Sequence, residues 1–139
     1  MSERIQIGGL SIDFLRSKHD TAGSLDLMRM TVPPAGQMPV AHYHRDWDET
    51  VYGLEGTLTF RVDGAEHAVG PGDTLFIKRG VVHGFENRSD ADATCLAVLT
   101  PGVLGPECFR ELAALISKGP PDGAVVREIM LRHGLVPAG

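Results

Sequence analysis

Two histidines and a glutamate lie close together between two glycines, and this spacing limits what the chain can fold into more than any other feature. The segment runs from Gly36 to Gly56 and contains His42, His44 and Glu49. Side chains on an extended strand alternate between faces, so the two imidazoles project from the same side. The four residues before Glu49 suffice to turn a corner into an adjacent strand. The segment therefore predicts two strands that bring two imidazoles and one carboxylate towards one point.

The pattern G-x5-H-x-H-x4-E-x6-G of residues 36–56 resembles the first signature of the cupin superfamily at every fixed position. Residues 72–87 resemble the second signature, G-x5-P-x-G-x2-H-x3-N, and supply His83 and Asn87. Lys78 stands where the family has proline, which stiffens a turn and does not bind metal. A lone H-x-H would be a weak signal, but the two motifs together are specific. The resemblance implies an all-β fold, the double-stranded β-helix or jelly-roll barrel of the cupins.

The resemblance also implies a metal site. In cupins these motif positions hold one divalent cation near the barrel centre, and here they are His42, His44, Glu49 and His83. Imidazole suits iron, nickel, copper and zinc, and carboxylate admits manganese, so the ligand types do not decide which ion binds. The alternative is a barrel that keeps the motif without binding metal.

The similarity to quercetinase-like cupins implies a small metal-dependent oxygenase of the dioxygenase type. Its substrate would be an apolar or aromatic small molecule that carries adjacent oxygens. Glu49 would be the catalytic residue, acting both as a ligand and as the acceptor of a substrate proton. Two other hypotheses stay open because one fold hosts many chemistries. One is a redox-neutral isomerase, decarboxylase, lyase or cyclase, and the other is a non-catalytic module that binds a small ligand.

The strand pattern predicts an apolar pocket around the site. A hairpin over residues 57–69, with Asp63-Gly64 as a type I′ turn, pairs Phe60 with His67 and predicts that His67 faces the barrel interior. A hydrogen-bonded core histidine is the simpler interpretation of that residue. The other residues predicted to line the pocket are equally compatible with ordinary core residues that contact no substrate. The predicted substrate-binding residues are Met38, Val40, Val51, Phe60, His67, Leu75 and Phe85.

The chain is predicted to form the barrel over residues 1–104 and a helical extension of the same domain over residues 105–139. From Pro106 onwards, apolar residues recur at helical spacing. Asp122 suits the N-cap of a second helix that ends at Gly134. The extension would serve either as a lid or as a packing element. The buried face predicted for the second helix is Val125, Val126, Ile129 and Met130.

Charge and composition limit the partners. The formal net charge of −5 disfavours nucleic acid, because phosphate binding needs a basic surface. The first residues lack the basic region and apolar run of a signal peptide, and no later stretch is long enough to span a bilayer. We therefore expect a cytoplasmic protein without a membrane partner. Cys95 and Cys108 form no C-x-x-C pair and are expected to be buried thiols.

The segment of residues 25–32 is apolar on both faces, as expected of a strand that is covered on both sides or of an edge strand in a subunit contact. Cupin relatives commonly dimerise, so the resemblance implies a homodimer. The expected partners are thus a small-molecule substrate or ligand and a second copy of the chain.

Overall fold

Two β-sheets pack against each other in the computed structural model, which describes residues 2–38 and 40–138. Within these residues the strands are, in chain order, β1 (Glu3–Ile7), β2 (Leu10–Arg16), β3 (Asp26–Val32), β4 (His42–His44), β5 (Asp48–Glu55), β6 (Leu58–Val62), β7 (Ala65–Val69), β8 (Thr74–Ile77), β9 (His83–Glu86), β10 (Ala93–Thr100) and β11 (Leu135–Pro137). One described sheet has the order β1-β2-β3-β10-β5-β8, and the other has the order β11-β4-β9-β6-β7. This arrangement confirms the predicted all-β jelly roll.

The facing sides of the two sheets form an apolar core. In β3, Met28, Met30 and Val32 are buried while Arg29 is exposed, because successive side chains point to opposite faces. Leu27 is only half-buried on the outer side. β3 is neither covered on both faces nor an edge strand, because it lies between β2 and β10 and only its inner face is fully covered. A subunit contact at its outer face stays a prediction.

The hairpin of β6 and β7 has the predicted register, which pairs Arg61 with Glu66 and Phe60 with His67. Its turn residue Asp63 has a φ of 50°, as a type I′ turn requires. The register places His67 on the same face as Phe60, but the prediction that His67 lies in the barrel interior is wrong, because its side chain is exposed. β7 is the edge strand of its sheet, and only Val69 of this strand is buried. An edge strand extends past the area that the facing sheet covers.

β4 is joined to the rest of its sheet by little pairing. Its one registered pair with β9 in the described structure is His42 with His83. On its other side, β4 pairs along its whole length with β11, from Leu135 opposite His44 to Pro137 opposite His42. The strand that carries both imidazoles of the first motif is therefore secured mainly by the C-terminal strand.

The two predicted helices are present as α1 (Glu107–Ile116) and α2 (Gly123–Arg132). Asp122 caps α2, because its side chain accepts a hydrogen bond from the Ala124 N–H at 2.9 Å. Among the described residues, no helix has the length and apolarity needed to cross a bilayer.

The buried face of α2 is narrower than predicted. Ile129 and Met130 are buried and Val126 is half-buried, but Val125 is exposed because the helix packs on the protein over little more than its C-terminal half. Gly134, the predicted stop, follows shortly after α2 ends at Arg132 and has a φ of 89°. The strand β11 that follows was not predicted, so the extension also completes a sheet.

Cys95 and Cys108 are buried, free thiols, as predicted. Burial raises the pKa of each to about 12. Both thiols are therefore protonated near neutral pH and belong to the core.

Asp26 fastens two loops to the start of β3. Its carboxylate is fully buried and accepts hydrogen bonds from the Lys18 N–H at 2.7 Å and the Gly105 N–H at 3.0 Å. These bonds join the loop after β2 to the segment that leads into α1. The bond from Gly105 is buried and the bond from Lys18 is partly buried, so without the carboxylate these backbone donors have little access to water as a replacement.

We predict that Asp26→Ala lowers the free energy of unfolding by about 3 kcal/mol, because two backbone N–H groups lose their acceptor. Chemical denaturation followed by circular dichroism measures the change. The control is Asp90→Ala, which removes an exposed carboxylate from the turn before β10 and should leave stability nearly unchanged. Equal stability of the two variants would contradict the role given to Asp26.

Candidate metal centre

Four ionisable side chains from three strands converge between the sheets. His42 and His44 lie on β4, and His83 lies beside His42 on β9. Glu49, near the start of β5, reaches the same region from the facing sheet. All four are buried. The structure thus brings together every residue that the two motifs nominate as a ligand.

The three imidazoles are close enough to share one ion. One ring nitrogen from each of His42, His44 and His83 lies within 4.8 Å of the others. The Nε2 atoms of His42 and His44 are 3.2 Å apart. Glu49 Oε1 lies 3.7 Å from His44 Nδ1 and 3.9 Å from His83 Nε2. Among the described residues the tight cluster is thus a histidine triad, and the carboxylate stands slightly further away.

Backbone carbonyls orient two of the three rings. His42 Nδ1 lies 3.0 Å from the Val40 carbonyl, and His83 Nδ1 lies 3.0 Å from the Val81 carbonyl. A neutral imidazole that donates from Nδ1 carries its lone pair on Nε2. Such bonds are typical of metal-binding histidines, since they fix the tautomer and the ring direction. His44 differs, because its Nδ1 is buried without a hydrogen-bond partner.

Burial keeps the imidazoles neutral. It lowers the pKa of His42 to about 4 and that of His44 to about 2, and in both the charge of His83 adds to the effect. Burial also lowers the pKa of His83, although the Val81 carbonyl opposes the shift. The three rings are therefore unprotonated near pH 7, which is the state that binds a metal ion.

Glu49 lacks a cationic side chain to balance its charge. Burial raises the pKa of Glu49 to about 7. No lysine or arginine lies among the described residues that line its surroundings. A buried carboxylate normally has a counter-charge, and a divalent cation between Glu49 and the rings would supply one. The donor set and the neutral rings therefore fit a divalent metal, although they do not identify it.

The remaining motif positions build the turns that aim the ligands. Asn87 is buried, and its amide donates to the carbonyls of Val32 and Ala91 at 2.9 and 2.8 Å. Its Oδ1 accepts from the backbone N–H and the hydroxyl of Ser89. Gly56 has a φ of 63°, and a Cβ there would overlap the Asp92 carbonyl. These residues shape the chain and do not face the cluster.

The turn at Lys78 closes without the proline of the family pattern. The Val81 N–H donates to the Lys78 carbonyl at 3.1 Å, and Gly80 has a φ of 84°. The Gly80 N–H also donates to the His44 carbonyl at 2.9 Å. Arg79 bonds the Asp48 carboxylate through its backbone N–H and its guanidinium. Hydrogen bonds therefore hold the turn that precedes His83.

The cluster opens onto a cavity of about 50 Å³. Of the predicted pocket residues, Met38, Phe60 and Phe85 line it. The others do not: Val51 is packed in the core, His67 is exposed, and Val40 and Leu75 are half-buried away from the wall. Lining residues that the sequence analysis missed are Leu10, Ile12, Met28, Met30, Leu99, Leu104, Phe109 and Leu135.

The missed lining residues come largely from the two ends of the chain. Leu10 precedes the motifs, while Leu104, Phe109 and Leu135 follow them. Phe109 was predicted to lie on the apolar stripe of a helix, but the stripe does not reveal which part of the barrel it covers. α1 and the segment before it therefore close one side of the cavity.

A larger groove, of about 200 Å³, lies on the outer face of the five-stranded sheet. Its arginines are already paired, since Arg61 and Arg88 both contact Glu66. Gly84 pairs with Arg61 on the neighbouring strand, and because it has no side chain, the backbone forms the floor of the groove there. His83 and Phe85 border both the groove and the cavity, but the described lining of the groove includes neither His42, His44 nor Glu49, so the cavity is the candidate site.

Comparison with known proteins agrees with this geometry. The family model described as "Cupin domain" matches residues 28–99, about half of the chain. Quercetin 2,3-dioxygenase of Bacillus subtilis (strain 168) is 41% identical over 80 residues, which are 57% of this chain and 23% of that protein. The tetracenomycin polyketide synthase protein TcmJ of Streptomyces glaucescens is 35% identical over 72 residues, or 52% of this chain and 48% of that protein. The chain thus spans less than half the length of either relative.

Solved structures share the fold. A predicted oxalate decarboxylase of Thermotoga maritima superimposes with a TM-score of 0.64 and 28% identity, over 73% of this chain and 92% of that chain. The polyketide cyclase RemF of Streptomyces resistomycificus gives a TM-score of 0.60 and 28% identity, over 72% of both chains.

We predict that His42→Ala and His83→Ala each abolish tight retention of a divalent metal while the barrel stays folded, because each removes one nitrogen of the triad. Metal content after dialysis, measured by elemental analysis, and circular dichroism test the two statements. His67→Ala is the matched control, since it removes an exposed imidazole and should leave metal content unchanged. If the triad variants keep the metal, the site proposed here is wrong.

Proposed function

The chain belongs to the cupin family, and we propose that it is a metal-dependent enzyme with dioxygenase-type activity on an apolar, oxygen-bearing small molecule. The observation that carries this proposal is the combination of a neutral histidine triad, a buried carboxylate and an otherwise apolar cavity wall. Metal ligands beside an apolar cavity are suited to a substrate that offers its oxygens to the cation and its carbon skeleton to the wall.

The cavity lining favours an uncharged substrate. Apart from the triad and Glu49, every described lining residue is apolar. A dicarboxylate or phosphate group would bring negative charge into this wall without a lysine, an arginine or a hydroxyl to bind it. The lining therefore supports a phenolic or enolic substrate over one such as oxalate.

Glu49 is the group suited to proton transfer. A divalent metal bound by the triad would supply Lewis acidity that favours the ionised form of a substrate hydroxyl. Glu49 Oε1 lies within 4 Å of both His44 and His83, so a hydroxyl bound beside these rings is within its reach. We therefore assign Glu49 two roles, as a further ligand and as the base that accepts the substrate proton.

The size of the cavity bears on substrate entry. Its volume of about 50 Å³ suits one or two water molecules or dioxygen, whereas small-molecule pockets are usually about 300–1,000 Å³. An aromatic substrate therefore requires part of the wall to move. We expect the part of the wall formed by Leu104 and Phe109 to move, because these residues belong to α1 and the segment before it and lie outside both sheets.

The similarity to quercetin 2,3-dioxygenase supports the oxygenase, although the match covers only 23% of that protein. A redox-neutral cyclisation is the second candidate. It is favoured by the superposition on the polyketide cyclase RemF at 28% identity. The match to TcmJ, a polyketide synthase protein, supports a polyketide as the substrate class. The same apolar lining suits a polyketide as well as a flavonol, so the two candidates differ in their need for oxygen.

We predict that the protein loaded with Fe²⁺, Mn²⁺, Ni²⁺ or Cu²⁺ consumes oxygen when quercetin or a hydroxylated aromatic ketone is added. An oxygen electrode measures the rate, and His42→Ala with the same ion is expected to show only the rate of the free ion. His67→Ala should keep the full rate, because His67 lies outside the cavity. Turnover of the same compounds under anaerobic conditions would contradict the oxygenase and support the redox-neutral candidate.

The homodimer also stays a proposal. Phe76 on β8 and Tyr52 on β5 are 58% and 46% exposed and are diagonal neighbours on the outer face of the six-stranded sheet. Light scattering on the purified protein tests the assembly. A mass of twice 14.9 kDa would support the dimer, and a mass of 14.9 kDa would contradict it.

A further inference from the structure

Trp47 packs directly against one imidazole of the triad. It is the one tryptophan of the chain, and its side chain is fully buried in the short loop between β4 and β5. Its ring stacks on that of His44, with centroids 4.8 Å apart and an angle of 24° between the planes. The indole Nε1 is buried without a hydrogen-bond partner in the described structure. Packing alone therefore holds the indole in place.

His44 needs this support more than the other two histidines do. Backbone carbonyls hold the rings of His42 and His83 through Nδ1. The Nδ1 of His44 has no such bond. The hydrogen-bond contact that the described structure gives its ring joins its Nε2 to the Nε2 of His42, so no group outside the triad fixes the direction of the ring. The flat contact with Trp47 takes the place of the carbonyl, because a stacked indole restricts rotation of the imidazole about its χ2 bond.

The C-terminal segment also packs against Trp47. Gly134 lies so close that a Cβ there would come within 2.9 Å of Trp47 Cζ3 and 3.3 Å of Cη2. The Gly134 carbonyl accepts a hydrogen bond from the Arg45 N–H at 2.9 Å, and the next residue, Leu135, pairs with His44. A backbone without a side chain thus lies against the benzene ring of the indole and is anchored to the strand that carries His44.

We infer that Trp47 is a positioning residue for His44, held by residues 134–137, and that it sets the affinity of the triad for a divalent cation. The inference rests on the proposed metal binding. It goes beyond that proposal because neither Trp47 nor the C-terminal strand is a ligand, and because residues 134–137 lie outside the segment 28–99 that matches the family model. Groups that orient metal ligands typically contribute 10- to 100-fold in affinity.

The test compares Trp47→Leu, which fills part of the volume without a flat ring, with Trp47→Phe, which keeps one. We expect Trp47→Leu to weaken Co²⁺ binding about tenfold and Trp47→Phe to restore most of the loss. Competition with a chelator measures the affinity, and the visible spectrum of bound Co²⁺ reports the ligand geometry. Thermal unfolding without metal separates folding from binding. A purely structural role would lower stability while leaving affinity and spectrum unchanged, and that result would overturn the inference.

A second pair of variants tests the C-terminal contact. Gly134→Ala places a methyl group against Trp47, whereas Gly72→Ala imposes a similar backbone strain at a φ of 83° with no atom within 4 Å. We expect weaker Co²⁺ binding in the first variant only. Equal affinity in the two variants would contradict the role of residues 134–137.

The two proposals fail in different ways. If the wild-type protein binds no Co²⁺, the proposed metal function is wrong. If the wild type binds Co²⁺ and Trp47→Leu binds it equally well, the metal function stands and the inference about Trp47 is wrong. Quenching of Trp47 fluorescence by Co²⁺ in the wild type, absent in His42→Ala, shows directly that the ion binds beside the indole.

Discussion

The burial of three imidazoles and one carboxylate in an apolar core is the constraint on which the rest of this structure depends. Without a counter-charge, the shift in the pKa of Glu49 to about 7 corresponds to about 3 kcal/mol against its ionised form. The same burial holds the rings of His42 and His44 neutral. A core that favours neutral rings and leaves a carboxylate without a partner is unfavourable as plain packing but suitable for a divalent cation.

Much of the site was predictable because the ligands lie on strands and strands have a simple period. The two-residue spacing of His42 and His44 gives one shared face, and the second motif places His83 on a strand of its own. The Asp63-Gly64 turn likewise determined the register of its hairpin correctly. The local sequence pattern was therefore sufficient to predict which face of a strand each of these side chains occupies.

The remaining features depend on where a strand lies in the assembled sheets. His67 has the face that its register predicts, yet it is exposed because β7 is an edge strand. Trp47 was assigned to a loop, and only the approach of Gly134 from the far end of the chain shows why it is buried. β11 is three residues long and has no period from which to predict it. The family-matched segment supplies the proposed ligands, while both ends of the chain supply part of the cavity wall, so the shape of the cavity also depends on residues outside that segment.

Because β4 and β9 share only one registered pair in the described structure, a bound ion would hold the two strands together in addition to its chemical role. A cation held by His42, His44 and His83 would cross-link these strands where the ladder offers one registered pair, and a bond to Glu49 would extend the cross-link to the opposite sheet. Resistance to heat would then depend on the supply of the ion, with each tenfold excess over its dissociation constant adding about 1.4 kcal/mol. Without the ion, the barrel would therefore have a lower free energy of unfolding in addition to losing the proposed activity.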